Sequence, residues 1–100
     1  MSNATTATQG MTKDNVYAYP NPVRPDYTGP ITITGLDENS DIKIVTVSGT
    51  LVNEGKSLGG KYKWYGLNKF GHRVASGVYM VEVATQEGEK GVVCKITIVN

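Results

Sequence analysis

The sequence predicts an all-β domain, an antiparallel sandwich of about seven short strands. Three observations carry that prediction. From Val16 onward, short apolar runs alternate with turn residues, and no segment shows a helical period. One sheet alone cannot bury the apolar faces of so many runs, so a second must cover them. A chain of 100 residues has room for one core only. Such spacing of strands and turns is the pattern of an Ig-like sandwich.

Residues 1–14 (MSNATTATQGMTKD) are small and polar and read as a flexible lead-in, beginning with a cloning remnant, Met1-Ser2-Asn3-Ala4. The domain proper is expected over 15–100, excised from a longer parent. Val16–Tyr19 is a short strand stopped by Pro20-Asn21-Pro22. Two prolines remove two donors, so this strand lies at a sheet edge or leaves the sheet there. Pro25 and Pro30 bracket a turn, and Ile31-Thr32-Ile33-Thr34 alternates with both isoleucines on one face. Asp37–Asp41 is a polar turn into Ile42–Val47, and Ser48-Gly49 joins that strand to Leu51–Asn53 as a tight hairpin. In Lys61–Tyr65, Tyr62 and Trp64 face one way and the lysines the other. After a polar loop, Gly66–Ser76, the strands Gly77–Thr85 and Val92–Val99 form the last hairpin around Gln86–Lys90. Tyr79, Val81 and Val83 share one face there, as do Val92, Cys94, Ile96 and Ile98. Trp64 is the expected centre of the core, with Tyr79, Val81, Ile44 and Ile96 around it.

Composition removes several functions. Hydrophobic residues are 39% and charged residues 19%, too apolar for a disordered chain. No apolar run is long enough for a transmembrane segment, and no basic stretch precedes an h-region as in a signal peptide. A net charge of +1 speaks against a nucleic-acid partner, and one cysteine forms no internal disulfide.

No catalytic or metal site is expected, and no cofactor. The one histidine, His72, lies in a polar loop, and no acid stands between Gly55 and Val81 to complete a triad. Cys94 alternates with apolar residues and reads as a small buried hydrophobe. Asp37, Asn39 and Asp41 open like a calcium loop, but Ile42 stands where Gly is needed and Ser48 where Glu should close it. The turn reads as solvated. Charge is unevenly spread: residues 1–55 carry −3, residues 56–81 carry +5 with no acid, and residues 82–100 carry −1. Lys61, Lys63, Lys69 and Arg73 make a candidate basic surface for an anionic partner, against the plainer reading of solubilising lysines on a strand edge.

The ordered motifs Tyr19-Pro20-Asn21-Pro22-Val23, Ile42-Lys43-Ile44…Val47-Ser48-Gly49…Leu51-Val52, Trp64-Tyr65-Gly66…Asn68…Gly71…Val74-Ala75-Ser76-Gly77-Val78-Tyr79 and Lys95-Ile96-Thr97-Ile98-Val99 resemble a known family. It is the C-terminal sorting domain, type A, of the Bacteroidota type IX secretion system. The match runs from Val16 to Val99. The pattern is also similar to the Ig-like domain of flagellar hook-capping proteins. The phrase YPNPVRPDYTGPITITGL, from Tyr19 to Leu36, resembles the tail of large propeller-containing surface proteins, which keep this domain. Three positions depart: the family usually has an acid at Thr46, a base at Thr50 and Asp at Tyr65. The first two read as a paired change; the third removes a loop cap.

The resemblance implies a non-catalytic module at the end of a larger exported protein, located outside the cell or on the outer-membrane surface. Its implied partners are components of the secretion machine, a neighbouring domain of the parent protein, and an anionic lipopolysaccharide. The rival reading is a structural Ig-like spacer that packs on a neighbouring domain and carries no export signal. Recognition is expected in Lys95, Ile96, Thr97, Ile98, Val99 and Asn100. There Val93, Lys95, Thr97 and Val99 are expected to face outward, on a strand edge open to a partner strand.

Overall fold

A computed structural model describes residues 15–84 and 90–100. The lead-in expected over 1–14 and most of the turn expected at Gln86–Lys90 lie outside the described residues. Within them the strands are β1 (Tyr17–Tyr19), β2 (Ile31–Thr34), β3 (Asp41–Thr46), β4 (Leu51–Lys56), β5 (Lys61–Trp64), β6 (Gly77–Ala84) and β7 (Lys90–Ile98). They make two antiparallel sheets, one ordered β1-β2-β5 and the other β4-β3-β6-β7. This is the all-β sandwich of seven strands that the alternation predicts.

Alternation decides which side chains enter the core. Ile31 and Ile33 of β2 stand opposite Trp64 and Tyr62 of β5, and Ala18 of β1 pairs with Ile33. All but the half-buried Tyr62 are buried. From the other sheet, Ile42 and Ile44 pair with Val83 and Val81, and Tyr79 pairs with Ile96. These five aliphatic residues and Tyr79 close the core from that side. Trp64 is 2% exposed and meets Tyr79 edge-on, ring centroids 5.7 Å apart. Each ring also satisfies its polar atom. The indole N–H donates to the Leu67 carbonyl at 2.8 Å, and the Tyr79 hydroxyl donates to the Ala75 carbonyl at 2.7 Å. The second bond is a tyrosine corner, a tyrosine early in its strand tied back to the preceding loop. Gly55 on β4 lets Tyr62 in: a Cβ there would lie 2.5 Å from the tyrosine ring.

Two local readings change. The hairpin between β3 and β4 has a three-residue loop, Val47-Ser48-Gly49, closed by the Thr46 amide donating to the Thr50 carbonyl. Gly49 donates to the Thr46 carbonyl and adopts φ +95°, so the glycine ends a turn and is not its second corner. Thr46 and Thr50, where family charges are missing, bond instead: the Thr50 amide donates to the Thr46 hydroxyl.

The second change lies in β7. Its pairing with β6 slips between Val81 and Glu82, so that Val81 faces Cys94 while Glu82 faces Val92. Val93 is the extra residue of a bulge. It therefore turns inward with Cys94 and is only 6% exposed, whereas Val92 faces outward beside Glu82. The outward Val93 and inward Val92 expected from strict alternation are both corrected, because a bulge reverses the parity of every residue before it.

Two measurements check this core. Trp64→Ala should cost about 3–5 kcal/mol in denaturant unfolding. Cys94 packs against the core, and burial pushes its thiol from an ordinary value near 9 up to about 11. A native-state thiol reagent should therefore label it far more slowly at neutral pH than in the unfolded chain. Because the folded value is the higher one, the thiol's contribution to stability is complete below pH 9 and is lost as pH rises through about 11. Alkaline unfolding curves of Cys94→Ala should fall less steeply across that window.

Candidate recognition surface

Pro20, Asn21 and Pro22 end β1 because proline has no N–H to give the ladder. The chain then leaves the three-stranded sheet and crosses to the edge of the other one. Val23 makes a parallel bridge with Ile98: its amide donates to the Thr97 carbonyl, and the Val99 amide donates to the Val23 carbonyl, both at 2.8 Å. Asn21 extends this pairing with its side chain. Its amide nitrogen donates to the Lys95 carbonyl at 2.8 Å, and its oxygen accepts from the Thr97 amide at 3.0 Å. The Lys95 carbonyl, the amide and carbonyl of Thr97 and the Val99 amide are thus already bonded. The edge that looked open in the sequence is covered by the strap Asn21–Val23, and a partner strand would have to displace it.

The last residue is held as firmly. The Asn100 amide donates to the Ser76 hydroxyl, its side chain donates to the Val74 carbonyl, and it accepts from Arg73 Nε. Of the six terminal residues, Ile96 and Ile98 point into the core. Lys95 and Asn100 are exposed, and Thr97 and Val99 are half-buried.

Lys61, Lys63, Lys69 and Arg73 are all exposed. Lys61 and Lys63 share a concavity of about 400 Å³ with Lys56, Leu58 and Tyr62. Lys69 and Arg73 sit beyond the other end of β5, in the loop 66–76, where Arg73 reaches Asn100. Lys56, which sequence reasoning counted but did not single out, is paired with Asp41 at 2.7 Å, and the Lys56 ammonium holds that carboxyl below its usual range. In the same loop, Asn68 takes over the capping expected of an acid at position 65: its oxygen accepts from the amides of Phe70 and His72. His72 is exposed, and among the described residues no group of three His, Cys, Asp or Glu is placed to hold a metal ion.

Residues 17–99 match the model of the secretion system C-terminal sorting domain. The chain belongs to that family. Among solved structures it is similar to PorZ, an essential bacterial surface component of the type IX secretion system of Porphyromonas gingivalis. Identity is 35% and the TM-score 0.76, over 87% of this chain and 12% of PorZ. It is also similar to dimeric latent PorU of the same organism, at 27% identity and a TM-score of 0.58, over 84% of this chain and 9% of PorU. The chain thus spans about an eighth or less of the structures it matches. No curated protein sequence matches it. As a sorting tail, the domain marks an exported protein for the surface or the extracellular space, and its family is non-catalytic.

Sequence reasoning missed Asn21 as the residue that closes the edge at Lys95 and Thr97. The signal was present: between two residues without N–H groups, the asparagine side-chain amide supplies both a donor and an acceptor to a strand edge.

Proposed function

We propose that this sorting domain is read by the secretion machine as a folded surface around its last strand, and that it retains its parent protein at the cell surface. The observation that supports this is the double fastening of the terminal segment. Asn21 and Val23 pair with the backbone edge from Lys95 to Val99, and Arg73, Val74 and Ser76 hold Asn100. With the main chain occupied, recognition rests on the side chains that remain outward: Lys95, Thr97, Val99 and Asn100. Ile96 and Ile98 serve by keeping those four in register.

Fusion of the domain to a reporter in a type IX-competent host tests the reading. Deleting Lys95–Asn100 should abolish export, but it also removes core residues. The decisive variants are therefore Lys95→Glu and Thr97→Ala, whose side chains stand on the outward face of β7 beside Met80 and Val78. Each should lower surface reporter severalfold while the unfolding midpoint of the purified domain stays within a few degrees. Export at the parent level by both folded variants refutes recognition by these side chains.

One observation favours the rival, a spacer that packs on a neighbouring domain. On the outward face of the four-stranded sheet, Val45 is buried beside Met80 and Leu51 yet lies outside the core cluster, and Val78 is exposed. If the domain is only a spacer, a reporter lacking it is exported as well as one that carries it.

A further inference from the structure

The edges of the two sheets are closed in different ways. On β7, Asn21 and Val23 pair the main chain from Lys95 to Val99. On β4 the middle of the edge closes on itself. The Glu54 amide donates to the Asn53 side-chain oxygen at 2.8 Å, and the Glu54 carbonyl accepts from the Tyr62 hydroxyl at 3.3 Å. The edge of β5 is closed at its start. There the Lys61 amide donates to the Leu58 carbonyl at 3.2 Å, and the Leu58 amide donates to the Lys61 carbonyl at 2.8 Å. Main-chain groups turn to alternate sides along a strand, so those of Lys61 face Leu58 while those of Tyr62 face Ile33 of β2. Lys63 follows Lys61 in this alternation and turns its N–H and C=O away from β2. Among the described residues no strand lies on that side of Lys63, and no turn or side chain bonds either group.

A groove of about 400 Å³ lies beside this open stretch, lined by Lys56, Leu58, Lys61, Tyr62 and Lys63. Three of these five are lysines and none is an acid. Lys56 pairs with Asp41, and the Glu38 carboxylate near the turn accepts from the Gly59 amide at 2.8 Å. Lys61 and Lys63 form no ion pair among the described residues. Leu58 is 81% exposed and Tyr62 half-buried, which gives the groove an apolar side. Leu58 fills the place opposite Lys61, and the place after it lies opposite Lys63.

We propose that this edge takes an extended peptide segment of another protein, with an acid at its centre, as a strand added beside β5. A donor and an acceptor on one residue, aimed the same way, are matched by the carbonyl and amide of one residue of a second main chain. In such a pair the partner's side chain projects to the same face as that of Lys63. A glutamate there stands directly across from Lys63 and diagonally across from Lys61, within reach of both ammonium groups. The residues on either side of that acid turn to the face of Tyr62, so the segment reads apolar, acid, apolar. Charge also sets selectivity. A lysine on an open edge discourages unselected strands, and an acid opposite it turns that guard into a pair. The site is on the sheet opposite β7, so it goes beyond the sorting reading and stands or falls separately from it.

The probe is a capped heptapeptide, Ser-Thr-Val-Glu-Val-Thr-Ser, titrated into the 100-residue protein and followed by amide chemical shifts and hydrogen exchange. Binding should shift Leu58 and β5 and slow exchange of the Lys63 amide about tenfold or more at saturation. Replacing the peptide's glutamate by glutamine should weaken binding about fivefold, and so should Lys61→Gln with Lys63→Gln in the protein. High salt should narrow the difference between the two peptides. N-methylation of the glutamate removes the amide that donates to the Lys63 carbonyl and should abolish binding. That change is in the peptide, so it decides the matter even if the lysine variant is destabilised. Equal binding of the glutamine peptide or of the N-methyl peptide would overturn the proposal. So would shifts confined to the four-stranded sheet, no binding at millimolar peptide, or a Lys63 amide already protected in the free protein. Tighter binding of phosphatidylglycerol vesicles than of the peptide at this edge, or self-association that protects the Lys63 amide without peptide, would equally refute it.

Discussion

The contact between Trp64 and Tyr79 is the constraint on which the rest of this sandwich depends. The three-stranded sheet is built from strands of three and four residues, which bury too little to stand alone. Trp64 anchors it by placing the largest apolar side chain of the domain against a ring from the longer sheet. The same indole fixes the Leu67 carbonyl, which also accepts from the Asn53 side chain on β4. Tyr79 in turn fixes Ala75. The loop 66–76 is thus held at two points by the core, and its Val74 and Ser76 receive Asn100. Order passes from the core to the chain terminus through four named contacts.

A second constraint closes the domain on itself. The segment that follows β1 belongs to one sheet at Tyr19 and to the other at Val23. An edge strand in an exported protein is an aggregation hazard while its backbone groups are unpaired. Here a strap from the opposite end of the domain narrows that hazard: Asn21 by its amide side chain and Val23 by its main chain pair the edge from Lys95 to Val99. The last strand is therefore coupled to the segment that follows β1.

The two outer faces divide the surface chemistry. On the four-stranded sheet, Asp41 stands beside Lys56 and Lys43 between Glu54 and Glu82, while the next row runs Leu51, Val45, Met80 and Lys95 with no acid. On the three-stranded sheet, lysines lie across from tyrosines with threonines between them. The +5 charge of residues 56–81 is consequently not a single patch. Lys56 pairs with Asp41, Lys69 and Arg73 lie in the loop 66–76, and Lys61 and Lys63 are the cations on the outer face of the three-stranded sheet.

Side-chain periodicity by itself determined the strands, the inward set led by Trp64, Ile44, Tyr79, Val81 and Ile96, and the edge position of β1. Each of these follows from residues adjacent in the chain, where two-residue alternation and the missing N–H of proline act locally. Ordered motifs added the family, since the spacing from Tyr19 to Val99 survives without coordinates. What alternation misplaced was Val92 and Val93, because a bulge is set by pairing with β6 and leaves no mark on β7 alone. Tertiary structure alone decided the fate of the last edge. Asn21 and Thr97 are 76 positions apart, and nothing in the local pattern of either strand shows that one side chain closes the other's hydrogen bonds. The same holds for the rows of Tyr17 with Lys61 and Tyr19 with Lys63, which become neighbours only when β2 lies between them. Local sequence sets which way a side chain points; which side chains share a surface is set by strand order, and strand order is a property of the packed sheets.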